Sequence, residues 1–239
     1  MLVERVNQRE FWGDKFFSIF AKGINVEGRE NLSLSPPYIV AFNHMGWAEA
    51  IALYSYFPEP ISFFSKKENF EILGLGWLMR KMKSIPVRRG AVDRKAIKEA
   101  ITLLESGGVL GIAPEGTRGR GQERTSLKPG KKGIFYIATR VQVPVVPVAV
   151  WGGTEDIFPL IDESEADFSQ RLLYLKRGLV EMRIGQPFVF HLGEGRRIDA
   201  HDLAMWTEGL MIEIGKMLPQ EYHGYYADLI RESQKSEEV

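Results

Sequence analysis

With 239 residues, 44% hydrophobic and 26% charged, the chain can bury a sizeable core as one large domain or two small ones. Lys plus Arg and Asp plus Glu balance at 31 each, so no global field recruits nucleic acid or an anionic surface, and any basic patch is local. The absence of cysteine excludes disulfides, thiolate nucleophiles and cysteine-ligated metals, and no apolar run approaches the ~18 residues that span a bilayer.

Residues 1–22 cluster Phe11, Trp12, Phe16, Phe17, Ile19 and Phe20, with Lys15 and Lys22 at the borders. This suits an amphipathic helix, either packed on a core or lying in a membrane interface. Charges from Glu4 to Lys15 interrupt any signal-like pattern there. The rest of the chain divides into a domain over 23–218 and a polar tail over 219–239, whose last ten residues read as frayed.

Ile24 to Val26 reads as a short strand between Gly23 and Gly28. Tyr38 to Phe42, behind Pro36-Pro37, reads as a buried one. A helix follows to Tyr56 and breaks at Pro58 and Pro60, after which Ile61 to Phe64 is extended. Residues 70–79 are unusually apolar for a short segment. Phe70, Leu73, Leu75 and Trp77 fit a core, the wall of an acyl pocket, or a lipid-facing surface. Ser84 to Val87 is a short strand ending in Arg88 and Arg89. From Val92 to Glu105 the positions Ile97, Ala100, Ile101 and Leu104 recur at helical spacing, closed by Gly107-Gly108.

Val109 to Ala113 is another buried strand. It runs into Pro114 to Arg118 and a basic loop carrying Arg120, Arg124, Lys128, Lys131 and Lys132. Ile134 to Arg140 is helical. Val143 to Val150 is a strand whose prolines suggest an edge or a bulge. Val180 to Ile184 is a further strand, and Asp199 can cap a helix from Ala200 to Met217. This alternation predicts a single α/β domain, a mostly parallel central sheet flanked by helices.

Ligands of such sheets gather beyond the carboxyl ends of the strands. His44, Arg88 and the run Glu115, Gly116, Thr117 and Arg118 all fall at such ends. Glu49 lies one turn into the helix after His44. An imidazole held by a carboxylate is a general base with a fixed tautomer. The plainer alternative is a histidine at a strand end with Glu49 in solvent. Guanidinium forks and glycine amides suit a phosphate ester. The sequence holds no Gly-x-Ser-x-Gly elbow and no nucleotide-binding loop. A base without a resident nucleophile points to a hydroxyl supplied by the substrate. His44, His191, His201 and His223 lack metal-ligand spacing, so no metal is expected.

At these residues the chain resembles the glycerolipid acyltransferase family. Asn43-His44 with Glu49 is similar to Asn-His-x-x-x-x-Asp, Glu standing for Asp. Ile85 to Arg88 resembles the strand ending in arginine. Pro114 to Arg118 matches Pro-Glu-Gly-Thr-Arg without change, and Val143 to Pro147 resembles the fourth motif. Lys131-Lys132-Gly133 and Gly185-Gln186-Pro187 are looser matches. The likeness covers about residues 24–190, in order.

The resemblance implies an acyltransferase domain over 23–218. It also implies transfer of a fatty acyl group from acyl-CoA or acyl-carrier protein to the hydroxyl of 1-acylglycerol 3-phosphate (lysophosphatidate). Another lysolipid or glycerol 3-phosphate as acceptor, or a weakly active lipid-binding relative, stays open. His44 would be the base, and Glu49 would orient it. Arg88 and Arg118 would bind phosphate, with Glu115, Gly116 and Thr117 shaping the loop. No cofactor is implied beyond the acyl donor. The partners would be a lysophospholipid and a membrane surface on the cytoplasmic face, with no nucleic acid. Relative to aspartate, Glu49 moves the carboxylate by about 1.5 Å, so Glu49→Asp raises the rate if geometry is limiting.

Overall fold

Tyr38 to Phe42 are buried without exception, which requires cover on both faces of the strand they form. The computed structural model supplies that cover; it describes residues 23–45, 48–73, 75–88, 92–117, 125–152, 178–189 and 198–237. The aromatic segment 1–22 and Arg118 lie outside the described residues.

Among the described residues, seven strands form one sheet: β1 (Gly23–Glu27), β2 (Tyr38–Phe42), β3 (Ile61–Lys66), β4 (Ile85–Val87), β5 (Val109–Ile112), β6 (Val145–Trp151) and β7 (Leu179–Ile184). Their order is β1-β7-β6-β2-β5-β3-β4. Neighbours are parallel except β6 with β7. The described helices are α1 (Ala48–Tyr56), α2 (Leu75–Lys81), α3 (Arg94–Glu105), α4 (Gly133–Val141), α5 (Ala200–Met217) and α6 (Ala227–Glu237).

Side chains alternate across the sheet and build two cores. Ile39, Ala41, Leu110, Ile112, Val145 and Ala149 pack with α3, α4 and α5 on one face. Tyr38, Val40, Phe42, Val146, Val148 and Val150 pack on the other, against Leu53 and Phe57 from α1 and its end. This is the mostly parallel α/β sheet that the alternation of elements predicts.

Two elements depart from the sequence reading. β6 is not at an edge, for it lies between β2 and β7. Its Pro147 has no N–H to give, and the neighbouring chain adapts. Val148 pairs with Ile184 but Val145 pairs with Phe188, so the chain beyond β7 carries one extra residue opposite Pro147. Gly185 N donates to the Pro147 carbonyl within this bulge.

The second departure is the chain end, read as a tail. Residues 220–226 form two 3-10 turns and α6 follows. Tyr226 and Ile230, four apart, are buried in the core that α3, α4 and α5 share. A Cβ on Gly215 of α5 would fall 2.3 Å from Ile230 Cδ1, so glycine is what admits α6 this close. A segment with so few apolar residues reads as solvated until that contact is known.

Candidate active site

β2 and β5 are parallel neighbours with Ala41 opposite Ile112. Positions three residues further on, His44 and Glu115, therefore leave the sheet side by side. The Glu115 side chain is 3% exposed; its Oε1 accepts the His44 backbone N–H at 2.7 Å, and its Oε2 accepts that of Lys128 at 3.2 Å. Glu49 is 1% exposed and its Oε1 accepts the Met45 N–H at 2.8 Å. Two buried carboxylates thus hold two successive amides of the turn that carries the imidazole. Glu49 Oε2 and His44 Nδ1 are both shielded from solvent. The ring meets Phe42 edge-on, with centroids 6.3 Å apart.

Asn43, fully buried, ties this turn to β6. Its Nδ2 donates to the Val150 carbonyl and its Oδ1 accepts the Val150 N–H, each at 2.7 Å. Asn43→Ala strands two buried backbone groups at about 1–3 kcal/mol apiece. The expected result is a clearly lower urea midpoint; a midpoint equal to wild type contradicts the pairing.

Beyond the strand ends lies a cleft of about 320 Å³. His44, Gly116 and Thr117 line it, with Lys66, Arg88 and Lys131 as cations and Phe42, Phe63 and Ile112 as apolar wall. Lys66 pairs with Val87 across β3 and β4, which sets it beside Arg88. Asp93, the N-cap of α3, accepts the Arg88 N–H at 3.0 Å together with those of Lys95 and Ala96. These donors, that from Arg88 foremost, hold its carboxyl below the usual range. Gly116 has φ 70°, and Lys131 Nζ lies 2.8 Å from where its Cβ would stand, so glycine fits both the backbone and the lysine.

Lys131 is positioned from behind. Its N–H donates to the Pro114 carbonyl at 2.9 Å, and the adjoining Gly130 N–H donates to Tyr226 Oη at 2.9 Å. Leu127 bonds through its backbone to Tyr222 and Tyr225. The chain end therefore braces the basic loop.

The structure brings together His44, Glu49, Arg88, Glu115, Gly116 and Thr117. Arg118 is outside the described residues. Glu115 is not among the groups that line the cleft; its carboxylate faces backbone amides. Sequence reasoning missed Lys66, Asp93 and Tyr226. An aspartate before a periodic apolar stretch signals a cap and could have found Asp93. Nothing local marks Lys66 or Tyr226.

Burial raises the Glu115 carboxyl to about 7, against the pull of the His44 and Lys128 amides, with the Glu49 charge adding to the rise. The unfolded chain titrates near ~4.3, so the fold holds this proton more tightly. That contribution to stability is complete below the unfolded value and is lost as pH climbs through about 7. The urea midpoint should therefore decline from about pH 5 to pH 8, and decline less in Glu115→Gln. Identical slopes for the two proteins contradict this assignment.

The parallel sheet, its strand-end cleft and the His44 turn coincide with a known class. A family model described as Acyltransferase matches residues 23–151, from β1 through β6, and the chain belongs to that family. It is 30% identical over 190 residues to the 1-acyl-sn-glycerol-3-phosphate acyltransferase of Bacillus subtilis, across 79% of this chain and 84% of that one. It is 34% identical over 135 residues to the Saccharomyces cerevisiae protein of the same name, spanning 53% of this chain and 42% of the yeast one. The crystal structure of the 1-acyl-sn-glycerophosphate (LPA) acyltransferase, PlsC, from Thermotoga maritima superposes with a TM-score of 0.64 at 25% identity, over 86% of this chain and 76% of that one.

Proposed function

We propose that this acyltransferase moves a fatty acyl group from a thioester, acyl-CoA or acyl-carrier protein, to the free hydroxyl of 1-acylglycerol 3-phosphate, giving phosphatidate. The observation that carries this reading is His44 on a doubly pinned turn at a cleft that also holds three cations. The names of the relatives from Bacillus and yeast agree with it.

In this mechanism His44 takes the proton of the glycerol hydroxyl as its oxygen attacks the thioester carbonyl. Glu49 Oε2 serves His44 Nδ1, fixing the tautomer and stabilising the imidazolium. The tetrahedral intermediate then collapses, the C–S bond breaks, and the imidazolium returns its proton to the thiolate. Thiols have a reference pKa near ~8.5, so departure asks little of the enzyme. Holding donor and acceptor together contributes more. Lys66, Arg88 and Lys131, joined by Arg118, would neutralise the acceptor phosphate. Glu115 would shape the loop without touching the acceptor. The reaction needs no cofactor beyond the thioester.

Acceptor and product are bilayer lipids, so peripheral contact with the cytoplasmic face of a membrane belongs to the same proposal. No helix among the described residues is long and apolar enough to cross a membrane. The test is thiol release from acyl-CoA with lysophosphatidate and with uncharged monoacylglycerol, for wild type, Arg88→Ala and Lys131→Ala. Lysophosphatidate should be strongly preferred, and each variant should raise its KM roughly tenfold or more, as for a lost charge-assisted contact of about 1.5–3 kcal/mol. Equal use of the two acceptors contradicts a phosphate site.

A further inference from the structure

The turn between β3 and α2, together with α2 itself, exposes apolar side chains that core packing does not explain. Leu73 is 100% exposed, Trp77 61% and Ile72 42%. Hydrogen bonds tie the flanks of this tip to one another. Arg80 Nη1 donates to the Phe70 carbonyl, Gly76 N donates to that of Ile72, and Asn69 Nδ2 donates to Ser65 Oγ. A Cβ on Gly76 would lie 2.2 Å from the Phe70 oxygen, so the glycine lets the turn close onto α2. The opposite side of α2 is anchored in the core by Met79.

We propose that Ile72, Leu73 and Trp77 form a docking surface that inserts into an anionic bilayer, next to the mouth of the cleft. This rests on the lipid acceptor proposed above and adds where the protein meets the lipid. Lys67, Arg80, Lys81 and Lys83 flank the tip in sequence against Glu68 and Glu71, a local excess of cations in a chain that is neutral overall. Lys81 Nζ lies 4.9 Å from the Trp77 ring centre. A protruding apolar tip below a collar of cations is what an interfacial contact requires: the tip enters the acyl region while the ammonium groups stay with the phosphates.

The placement ties docking to the site. The turn follows β3, whose Phe63, Phe64 and Lys66 line the cleft, and α2 leads into β4 and Arg88. A lysophosphatidate in the docked bilayer then has its phosphate at the level of the cleft cations. An acidic carrier protein could use the same cations but has no need of a fully exposed leucine, so the bilayer fits the whole surface better.

The test uses the full chain and the double variant Leu73→Ser/Trp77→Ser, which alters exposed positions only. Sedimentation with phosphatidylglycerol–phosphatidylcholine vesicles should weaken at least tenfold. Turnover of vesicle-borne lysophosphatidate should fall in parallel, while turnover of a short-chain, monomeric lysophosphatidate stays at the wild-type rate. Lys67→Glu/Lys81→Glu should lose binding to anionic vesicles and change little on purely phosphatidylcholine ones. Vesicle binding by the double variant equal to wild type overturns the proposal. So does intact vesicle binding with lost use of an acyl-carrier-protein donor, which would assign the surface to that protein. Failure of the wild type to release thiol even with the monomeric acceptor would refute the transferase reading instead, because sedimentation reports docking independently.

Discussion

His44→Ala should lower kcat by about 10²–10⁴-fold, the range expected when a general base is removed, with KM for both substrates nearly unchanged. Glu115 accepts the backbone N–H of residue 44. Alanine keeps that amide, so the β2–β5 junction survives and the loss falls on proton transfer alone. The urea midpoint should fall only by what buried Glu49 Oε2 loses with its partner, about 1–3 kcal/mol, while turnover falls far more. Retained turnover with normal stability contradicts the role of the imidazole.

Glu115→Ala should have a comparable effect on turnover for a different reason. Its carboxylate joins the His44 turn to Lys128, two segments 71 and 13 residues away in sequence. Removing it leaves two amides without their acceptor, at about 1–3 kcal/mol for each that stays buried, and frees the turn that aims the imidazole. The expected signature is a fall in kcat of at least 10²-fold, as for a misplaced catalytic group, together with a lower urea midpoint. Glu115→Gln should recover part of both, because one amide oxygen still accepts. A residue that bound phosphate would instead raise the acceptor KM and leave stability alone. That pattern would return Glu115 to the acceptor site.

The central part of the molecule was legible because local rules and global packing agree there. Tyr38 to Phe42 could only be a buried strand, the apolar spacing of α3 found Ala100 and Leu104 of its buried face, with Ile97 and Ile101 at its border, and Asp199 capped α5 as its type suggests. The parallel alternation of elements put His44, Arg88 and the run from Glu115 at the carboxyl ends of their strands, so residue types and a shared end of the sheet could be read without coordinates, whereas the adjacency of β2 and β5 could not. Side-chain direction could not. Whether Glu115 meets a ligand or an amide depends on the register of β2 with β5. The central place of β6 depended on a bulge some forty residues later, opposite Pro147. The brace from Tyr226 to Gly130 links positions 96 residues apart, and neither end carries a local signal. Leu73 and Trp77 show the same limit: an apolar stretch names its chemistry but not which face it presents.

Thiol release from acyl-CoA, followed with and without lysophosphatidate and paired with analysis of the lipid product, tests the central claim most directly. Wild-type protein should release thiol only with the acceptor, forming one phosphatidate per thiol, and His44→Ala should do neither at a comparable rate. Release without the acceptor, or equal phosphatidate formation by His44→Ala, would contradict it.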